Sequence, residues 1–237
     1  MDRLLQKLIC NLSTVTEKEE EWTRVKRMIV MEVNYNKYFQ HLIEKNELFT
    51  YIGALMDVEL PLALGFRNIR MVDPHYSEKD MFEKYIIPQI QMYGSIVKDT
   101  IMSKTERVIE MCLENGEMCK FHFQSLIIDY GSQHVKELQR IFDCPVGEIT
   151  WQTGVVCSYM FSDSQWILQV LDKVQKQGYI LTTDSPAVFR DSLPSSLKSP
   201  YEFLERSKNF WKRQSFEQKV LSINLVKGNV FLCEKVR

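Results

Sequence analysis

The chain has 237 residues, of which 45% are hydrophobic and 26% are charged, and its 30 lysines and arginines nearly balance its 31 aspartates and glutamates. This composition is typical of a globular protein large enough to form one α/β domain, and the net charge of −1 gives no bulk attraction to nucleic acid or to a membrane surface. No apolar stretch approaches the roughly 20 residues of a membrane-spanning helix, and the N-terminus lacks the unbroken apolar core of a signal peptide, so we expect a cytoplasmic protein with no membrane partner.

The cysteines and histidines show no metal-site pattern. The six cysteines stand singly among apolar residues, without the CxxC spacing of a zinc site or the density of a disulfide scaffold, so we expect reduced, buried thiols. His41, His122 and His134 have no acid or cysteine at metal-ligand spacing and are expected to be structural. The sequence therefore predicts no metal site, and it also lacks the motifs of a serine nucleophile elbow and of a phosphate-binding loop.

The first part of the chain has a helical pattern. Residues 2 to 45 contain neither proline nor glycine, and their apolar residues recur at helical spacing. We predict an N-terminal helical lid or appendage over residues 1–46, followed by one α/β domain over residues 47–237. The methionines and aromatic residues of this segment are typical of a core, and in a functional interpretation its helices would cover a bound substrate.

A strand, turn, helix, strand unit follows. Leu48 to Ile52 is a β-prone run, and Asn68 to Val72 is a second one. Between them, Val58 to Leu64 has a helical pattern that ends at Gly65, and Asp57 is a plausible N-cap. The sequence predicts a short parallel βαβ crossover here.

The rest of the chain continues to alternate between strand and helix patterns. The predicted elements are a helix from Ser77 to Tyr93 divided by Pro88, a hairpin of Arg107–Leu113 and Met118–Phe123 around Asn115-Gly116, a strand from Leu126 to Asp129, a helix from His134 to Phe142, a strand from Glu148 to Tyr159, a helix from Ser164 to Gln177, a strand from Tyr179 to Thr183, a helix from Tyr201 to Trp211, and a final hairpin of Val220–Val226 and Val230–Val236. This order predicts an α/β fold with a mostly parallel sheet and a C-terminal antiparallel hairpin.

Two residues of the crossover unit point to a ligand. In an open α/β sheet, ligands bind beyond the carboxyl ends of the strands, where a glycine turn lets the backbone approach them. Gly53 follows the first strand, and Asp73 ends the second strand 20 residues later. An acid at this spacing accepts hydrogen bonds from the hydroxyls of a ribose, so the pair predicts a nucleoside-bearing ligand.

These segments resemble a known family. Tyr51-Ile-Gly53-Ala-Leu-Met-Asp57 and Asn68-Ile-Arg-Met-Val-Asp73-Pro74 are similar to the first two motifs of class I S-adenosylmethionine-dependent methyltransferases. The family signature is an acid, then GxGxG, then an acid ending the second strand. Here only the first glycine is matched, the later two fall on Leu55 and Asp57, and Tyr51 stands at the place of the first acid. The C-terminal hairpin agrees with the resemblance, because the family's sheet ends in an antiparallel strand.

The resemblance implies a Rossmann-like methyltransferase-type sheet, S-adenosylmethionine as cofactor, and a binding site formed by Gly53, Ala54, Asp57, Asp73, Pro74, Gln124 and Ser125. Asp57 would face the methionine amino group or merely cap its helix. Gln124 and Ser125 would meet the adenine unless the Asn-Gly hairpin is an insertion, in which case Asp129 and Tyr130 take that place.

Other polar residues beside the predicted strand ends are weaker candidates. His75 would pack on the adenine or act as a base, although a polar surface role is the commoner one for a histidine beside a turn. Asp184 and Ser185 follow a strand where Rossmann-like sheets place substrate groups. No catalytic base is identifiable.

Three functions are compatible with these patterns. The leading one is methyl transfer from S-adenosylmethionine to a small or medium acceptor molecule. The first alternative is a non-catalytic methyltransferase-like scaffold that binds a protein partner or forms a homo-oligomer, and the second is an NAD(P)-dependent oxidoreductase. Lys208 to Arg213, with Phe210 and Trp211 interleaved, fits an amphipathic surface helix better than a nucleic-acid contact, so nucleic acid is not an expected partner.

Overall fold

The described part of the chain alternates strands with short helices. A computed structural model of the protein describes residues 28–30, 36–54, 57–78, 80–128, 133–158, 170–182, 201–208, 212–214 and 229–235. Its strands are β1 (Met28–Val30), β2 (Phe49–Ile52), β3 (Asn68–Val72), β4 (Gly94–Ser103), β5 (Glu106–Leu113), β6 (Met118–Gln124), β7 (Ile127–Ile128), β8 (Val146–Gly147), β9 (Thr153–Ser158), β10 (Val174–Thr182), β11 (Tyr201–Lys208), β12 (Lys212–Gln214) and β13 (Asn229–Lys235). Its helices are α1 (Asn36–Glu44), α2 (Glu59–Ala63), α3 (Ile87–Gln91) and α4 (Gln133–Phe142), with a 3-10 turn at Pro74–Ser77 and a π-helical turn at Phe82–Ile86.

Nine of the described strands form one sheet in the order β11-β13-β10-β9-β2-β3-β6-β5-β4. The five central strands, from β10 to β6, are parallel to one another. Numbered along the chain, these five lie in the order 3-2-1-4-5, which is the Rossmann order, and the order reverses between β2 and β9. The predicted βαβ crossover of β2, α2 and β3 is therefore confirmed, and it borders the point of reversal.

The sheet ends in antiparallel strands, as predicted. β13 pairs antiparallel with β10, from Tyr179 opposite Glu234 to Thr182 opposite Phe231. Its other neighbour is β11, which is also antiparallel to it. Val220 to Val226, the predicted first arm of the closing hairpin, lies outside the described residues.

An antiparallel meander extends the other side of the sheet. β5 and β6 form the predicted Asn-Gly hairpin, and β4 pairs with β5 as an edge strand that the sequence pattern did not predict. The ladder between β4 and β5 shifts register between Ile96 and Lys98 and again between Ile101 and Ser103. Each shift inserts an extra residue, and two such bulges interrupt the alternation by which a strand is recognised in a sequence.

Three further segments differ from their predicted states. Tyr201 to Lys208 is a strand and not a helix, because it pairs along the whole length of β13 and that ladder outweighs a weak local helical preference. Residues 28 to 30, predicted as helix, pair with β12. The predicted helix ending at Gln177 stops at residue 173, where Lys235 donates hydrogen bonds to the carbonyl oxygens of Leu171 and Val174, 3.3 and 2.7 Å away. That lysine satisfies the carbonyls of the last turn.

Aromatic side chains pack α1 and α2 onto one face of the sheet. Phe49 of β2 lies 4.9 Å from Phe66, and Phe66 lies 5.6 Å from Phe39 of α1, measured between ring centroids. All three side chains are buried. Because aromatic rings remove a large apolar area from water, this cluster holds the helices against the sheet.

The chain divides into two compact units. One consists of Met1–Val30 and Trp211–Leu225, and its described part is the two-stranded ladder of β1 and β12. The other, Met31–Phe210 with Val226–Arg237, contains the nine-stranded sheet and the predicted site. The boundary proposed at residue 46 stays a prediction. None of the helices that the structure describes has the length and apolarity to cross a membrane.

Candidate cofactor site

Buried polar side chains collect where the parallel strands end. Asp73 follows β3, Ser125 follows β6, and Ser158 and Thr182 are the last residues of β9 and β10; all four are buried. Burying polar groups is costly, so their accumulation at one edge needs a reason. Because this is the edge at which Rossmann-type sheets bind ligands, the candidate site lies there, around the point of reversal between β2 and β9.

The loop after β2 leaves room for a ligand. Gly53 has a φ of +69°, a conformation that favours glycine, and its amide donates to the carbonyl oxygen of Val72 at 2.9 Å. The amide of Asp57 donates to the carbonyl oxygen of Ala54 at 2.9 Å and closes the turn. A Cβ atom placed on Gly53 would have no neighbour within 4 Å, so the space beside the turn is open.

Asp57 lies at the start of α2 and has two donors from its own unit. The Tyr51 hydroxyl donates to Oδ2 at 3.0 Å, and the amide of Leu60 lies 3.4 Å from Oδ1. The N-cap residue of α2 is Val58, which makes no side-chain capping bond. Asp57, the predicted N-cap, is therefore the residue before the N-cap, and its carboxylate is hydrogen-bonded to a tyrosine in the preceding strand.

Asp73 is held by the turn that follows it. Its Oδ1 accepts hydrogen bonds from the amide of His75 at 3.0 Å and from the Nδ1 atom of the same residue at 2.7 Å. Burial alone would lower the pKa of His75, but the hydrogen bond to Asp73, its charge and that of Glu78 outweigh burial and raise the pKa. His75, a weaker candidate in the sequence, is thus hydrogen-bonded directly to Asp73, the residue that was predicted to bind a ribose.

Tyr76 lies in the turn after Asp73 and was not predicted as a site residue. Its ring is buried edge-on against Phe123, with 5.3 Å between centroids. Burial raises the pKa of Tyr76 well above its ordinary value, and the charges of Asp73 and Asp57 raise it further. The charges of both carboxylates thus act on the same phenol. The only sequence signal for Tyr76 is its place three residues after Asp73, inside the turn.

The predicted adenine-side residues divide into two groups. The Ser125 hydroxyl donates to the carbonyl oxygen of Pro74 at 3.0 Å, which joins the ends of β3 and β6. The Gln124 side chain instead accepts from Arg70 Nη1 at 3.1 Å, and the Arg70 guanidinium stacks on the Trp151 ring at 4.1 Å. Gln124 is thereby directed to the sheet face and not to the strand ends.

Ala54 is buried, whereas the neighbouring Gly53 is exposed. The alternative and weaker candidates Asp129, Tyr130, Asp184 and Ser185 lie outside the described residues. No group of three histidine, cysteine or acidic side chains within the described ranges is arranged to hold a metal ion.

Comparison with known proteins gives distant structural likenesses. No family model matches the sequence, and no curated protein sequence matches it. A structure described as a SAM-dependent methyltransferase from Streptococcus mutans has 12% identity and a TM-score of 0.42, covering 85% of this chain and 48% of its own. One described as an RNA methyltransferase from Pyrococcus horikoshii has 13% identity and a TM-score of 0.40, covering 85% and 82%. A tRNA methyltransferase from M. jannaschii has 13% identity and a TM-score of 0.34, covering 87% and 48%.

The chain spans about half the length of the first and third of these proteins. The fold assignment rests on the sheet itself, namely five parallel strands in Rossmann order with antiparallel strands beyond the fifth. By the order and direction of its strands, the chain has a Rossmann-like fold with antiparallel strands at its edges, which agrees with the fold that the sequence resemblance implied.

Proposed function

We propose that the protein transfers a methyl group from S-adenosylmethionine to an acceptor molecule. The observation that carries the proposal is that Asp57 and Asp73 lie in the loops after two neighbouring parallel strands, at the same edge of the sheet as the open turn at Gly53. The hydroxyls of a ribose and the ammonium group of an amino acid moiety both donate hydrogen bonds to carboxylate oxygens, and the two acids supply such oxygens at one edge of the sheet.

The residues at this edge of the sheet fit the proposed cofactor. Asp73 would accept hydrogen bonds from the ribose hydroxyls, the backbone of Gly53 and Ala54 would approach the methionine moiety, and Asp57 would face its ammonium group. Pro74 and Ser125 would border the adenine. When bound, S-adenosylmethionine supplies an electrophilic methyl group activated by a positive sulfonium, and the acidic edge favours a ligand of that charge.

The protein's own contribution would be alignment and the exclusion of water. Holding the acceptor atom in line with the methyl group converts a bimolecular encounter into an intramolecular one, which is a large part of such a rate enhancement. No described side chain is assigned as a catalytic base, and an acceptor that is itself nucleophilic needs none.

The proposed acceptor is a small or medium molecule, and the charges on the meander support this choice. On one face of the meander the charges alternate: Lys98 lies opposite Glu110, and Glu110 lies opposite Lys120. Such a face lacks the single-sign basic field that binds a phosphate backbone. Two of the compared structures are described as RNA or tRNA methyltransferases, so RNA is the alternative outcome of the acceptor test.

Calorimetric titration tests the cofactor assignment. We expect the protein to bind S-adenosylmethionine and S-adenosylhomocysteine but not NADH, and Asp73→Asn to weaken binding about tenfold or more, because ribose hydrogen bonds to a charged acceptor are lost. Asp99→Asn is the matched control, since Asp99 lies on the edge strand β4 and pairs with Arg107. Absence of binding at millimolar ligand would favour the scaffold alternative, and affinity for NADH would favour the oxidoreductase.

Acceptor class is tested with cofactor labelled in the transferred methyl group. Purified protein is incubated separately with a small-molecule extract and with total RNA, and the labelled fraction is followed by chromatography. Label in the small-molecule fraction that is lost in Asp73→Asn supports the proposal. Label in RNA alone would refute the proposed acceptor class and leave methyl transfer standing.

A further inference from the structure

Tyr51 occupies an unusual position for a tyrosine. It lies in the middle of the sheet, opposite Met71 of β3 and Cys157 of β9, and its side chain is fully buried. A buried phenol requires a hydrogen-bond partner, and here the hydroxyl donates to Oδ2 of Asp57 at 3.0 Å. The strand at the centre of the site is thus hydrogen-bonded to the acid at the start of α2.

Asp57 lies above the point where the strand order reverses. Tyr51, whose hydroxyl holds this carboxylate, lies opposite Cys157 of β9, and the charge of Asp57 adds to burial in raising the pKa of the Cys157 thiol. The same charge contributes to the raised pKa of Tyr76 in the turn after β3. The acid is therefore central to the edge at which a ligand would bind.

We propose that Tyr51 is a positioning residue that fixes the Asp57 carboxylate for the ammonium group of the cofactor's methionine moiety. The proposal rests on the proposed function. In the motif that the sequence resembles, an acid stands at position 51 and glycines at 55 and 57; here the acid is at 57, and a tyrosine at 51 reaches it.

The physical reason for the pair is pre-organisation. An aspartate at the start of a five-residue helix has several rotamers and competes for nearby amides, such as that of Leu60. A donor fixed inside the sheet selects one rotamer of the carboxylate, so that less ordering is required when a cation binds.

A pair of ligands separates this role from a merely structural one. S-adenosylhomocysteine has both the adenosine and the amino acid moieties, whereas 5′-methylthioadenosine has the adenosine without the amino acid. Affinities for both are measured by calorimetry in wild type, Tyr51→Phe, Asp57→Asn and the double variant, with melting temperatures as the folding control.

We expect Tyr51→Phe to weaken S-adenosylhomocysteine about three- to tenfold and Asp57→Asn to weaken it more, with little change for methylthioadenosine in either case. The double variant should be no weaker than Asp57→Asn alone, since the hydroxyl acts only through that carboxylate. Asp73→Asn should weaken both ligands, because the ribose is common to them.

Equal losses for both ligands in Tyr51→Phe would overturn the positioning role, because a structural defect does not distinguish the two. If Tyr51→Phe fails to fold, Asp57→Asn alone decides the matter, and an unchanged affinity for S-adenosylhomocysteine overturns the proposal. Binding of neither ligand by the wild type overturns the proposed function together with this inference, whereas wild-type binding with insensitive variants overturns only the inference.

Discussion

The hydrogen bond between His75 and Asp73 should make stability depend on pH in a defined direction. Because the folded pKa of His75 is raised, the folded protein binds this proton more tightly than the unfolded chain does. The stabilisation is complete below the unfolded value of about 6.5 and is lost as pH rises through the higher folded pKa. In His75→Gln, which cannot titrate, this part of the pH dependence is absent.

The structure sets the size of the effect. The hydrogen bond from Nδ1 to Oδ1 is 2.7 Å long and the Asp73 side chain is 4% exposed, but the His75 side chain is 18% exposed, so water screens part of the interaction. Hydrogen bonds to charged groups contribute about 1.5–3 kcal/mol, and we expect a value near the lower end, about 1.5 kcal/mol at pH 5.5. For a chain of this size that corresponds to a fall in melting temperature of roughly 3–6 °C.

The assay is urea unfolding of wild type and His75→Gln at half-unit steps from pH 5.5 to 8.5. His122→Gln is the matched control with the opposite sign. Burial and the charges of Arg70 and Lys120 lower the pKa of His122 against the opposing effect of Glu106, so its charged form costs stability at low pH. The wild-type advantage over His75→Gln should shrink as pH rises, and that over His122→Gln should grow. A pH-independent difference for His75→Gln would refute the charge-assisted bond.

Three further substitutions or modifications test the surrounding structure. Gly94→Ala should destabilise the fold by about 3 kcal/mol in urea unfolding, because the new Cβ atom would lie 2.1 Å from the carbonyl oxygen of Cys112; an unchanged midpoint would contradict the close approach of β4 to β5. Tyr93→Phe should cost about 1–3 kcal/mol in thermal unfolding, since it removes a donor from the buried Glu59 carboxylate, and a neutral result would contradict that bond. Burial raises the pKa of Cys119 to about 12, so mass spectrometry should find this thiol unalkylated at pH 8 until urea is added; rapid labelling of the folded protein would show that it is exposed.

Local sequence patterns predicted the elements in which the order of apolar and polar residues follows the burial of their side chains. In β2 every residue is buried, and the strand, Gly53 and the helix after it follow in the predicted order. In β4 two bulges break the period, so no window of alternating residues marks that strand. Tyr201 to Lys208 shows the other limit, because a partner strand far along the chain and not the local preference decides its state.

Spacing along the chain is enough to propose Gly53 and Asp73 as site residues, but it does not reveal contacts between side chains of different elements. The hydrogen bond from Tyr51 to Asp57 joins a strand to a helix start, and the one from His75 to Asp73 depends on the 3-10 turn that Asp73 caps. Gln124 is a further example. Its place after a predicted strand suggested a ligand contact, but its side chain accepts a hydrogen bond from Arg70 on the adjacent strand.

Two of the three glycines of the family motif are absent from this chain, and their absence changes which ligand the loop after β2 favours. In dinucleotide-binding sheets the later glycines let the backbone and a helix N-terminus approach a pyrophosphate. Counted from Gly53, the later glycine positions of that GxGxxG motif fall on Leu55 and Val58, and Asp57 stands between them, so a phosphate would meet a carboxylate where it needs amide donors. S-adenosylmethionine has no phosphate and carries a sulfonium and an ammonium, so the same carboxylate that disfavours a nicotinamide dinucleotide would attract it. The departures from the glycine motif therefore weaken the oxidoreductase alternative more than they weaken methyl transfer, and Asp57→Gly should reduce affinity for S-adenosylmethionine even though it restores a residue of the motif.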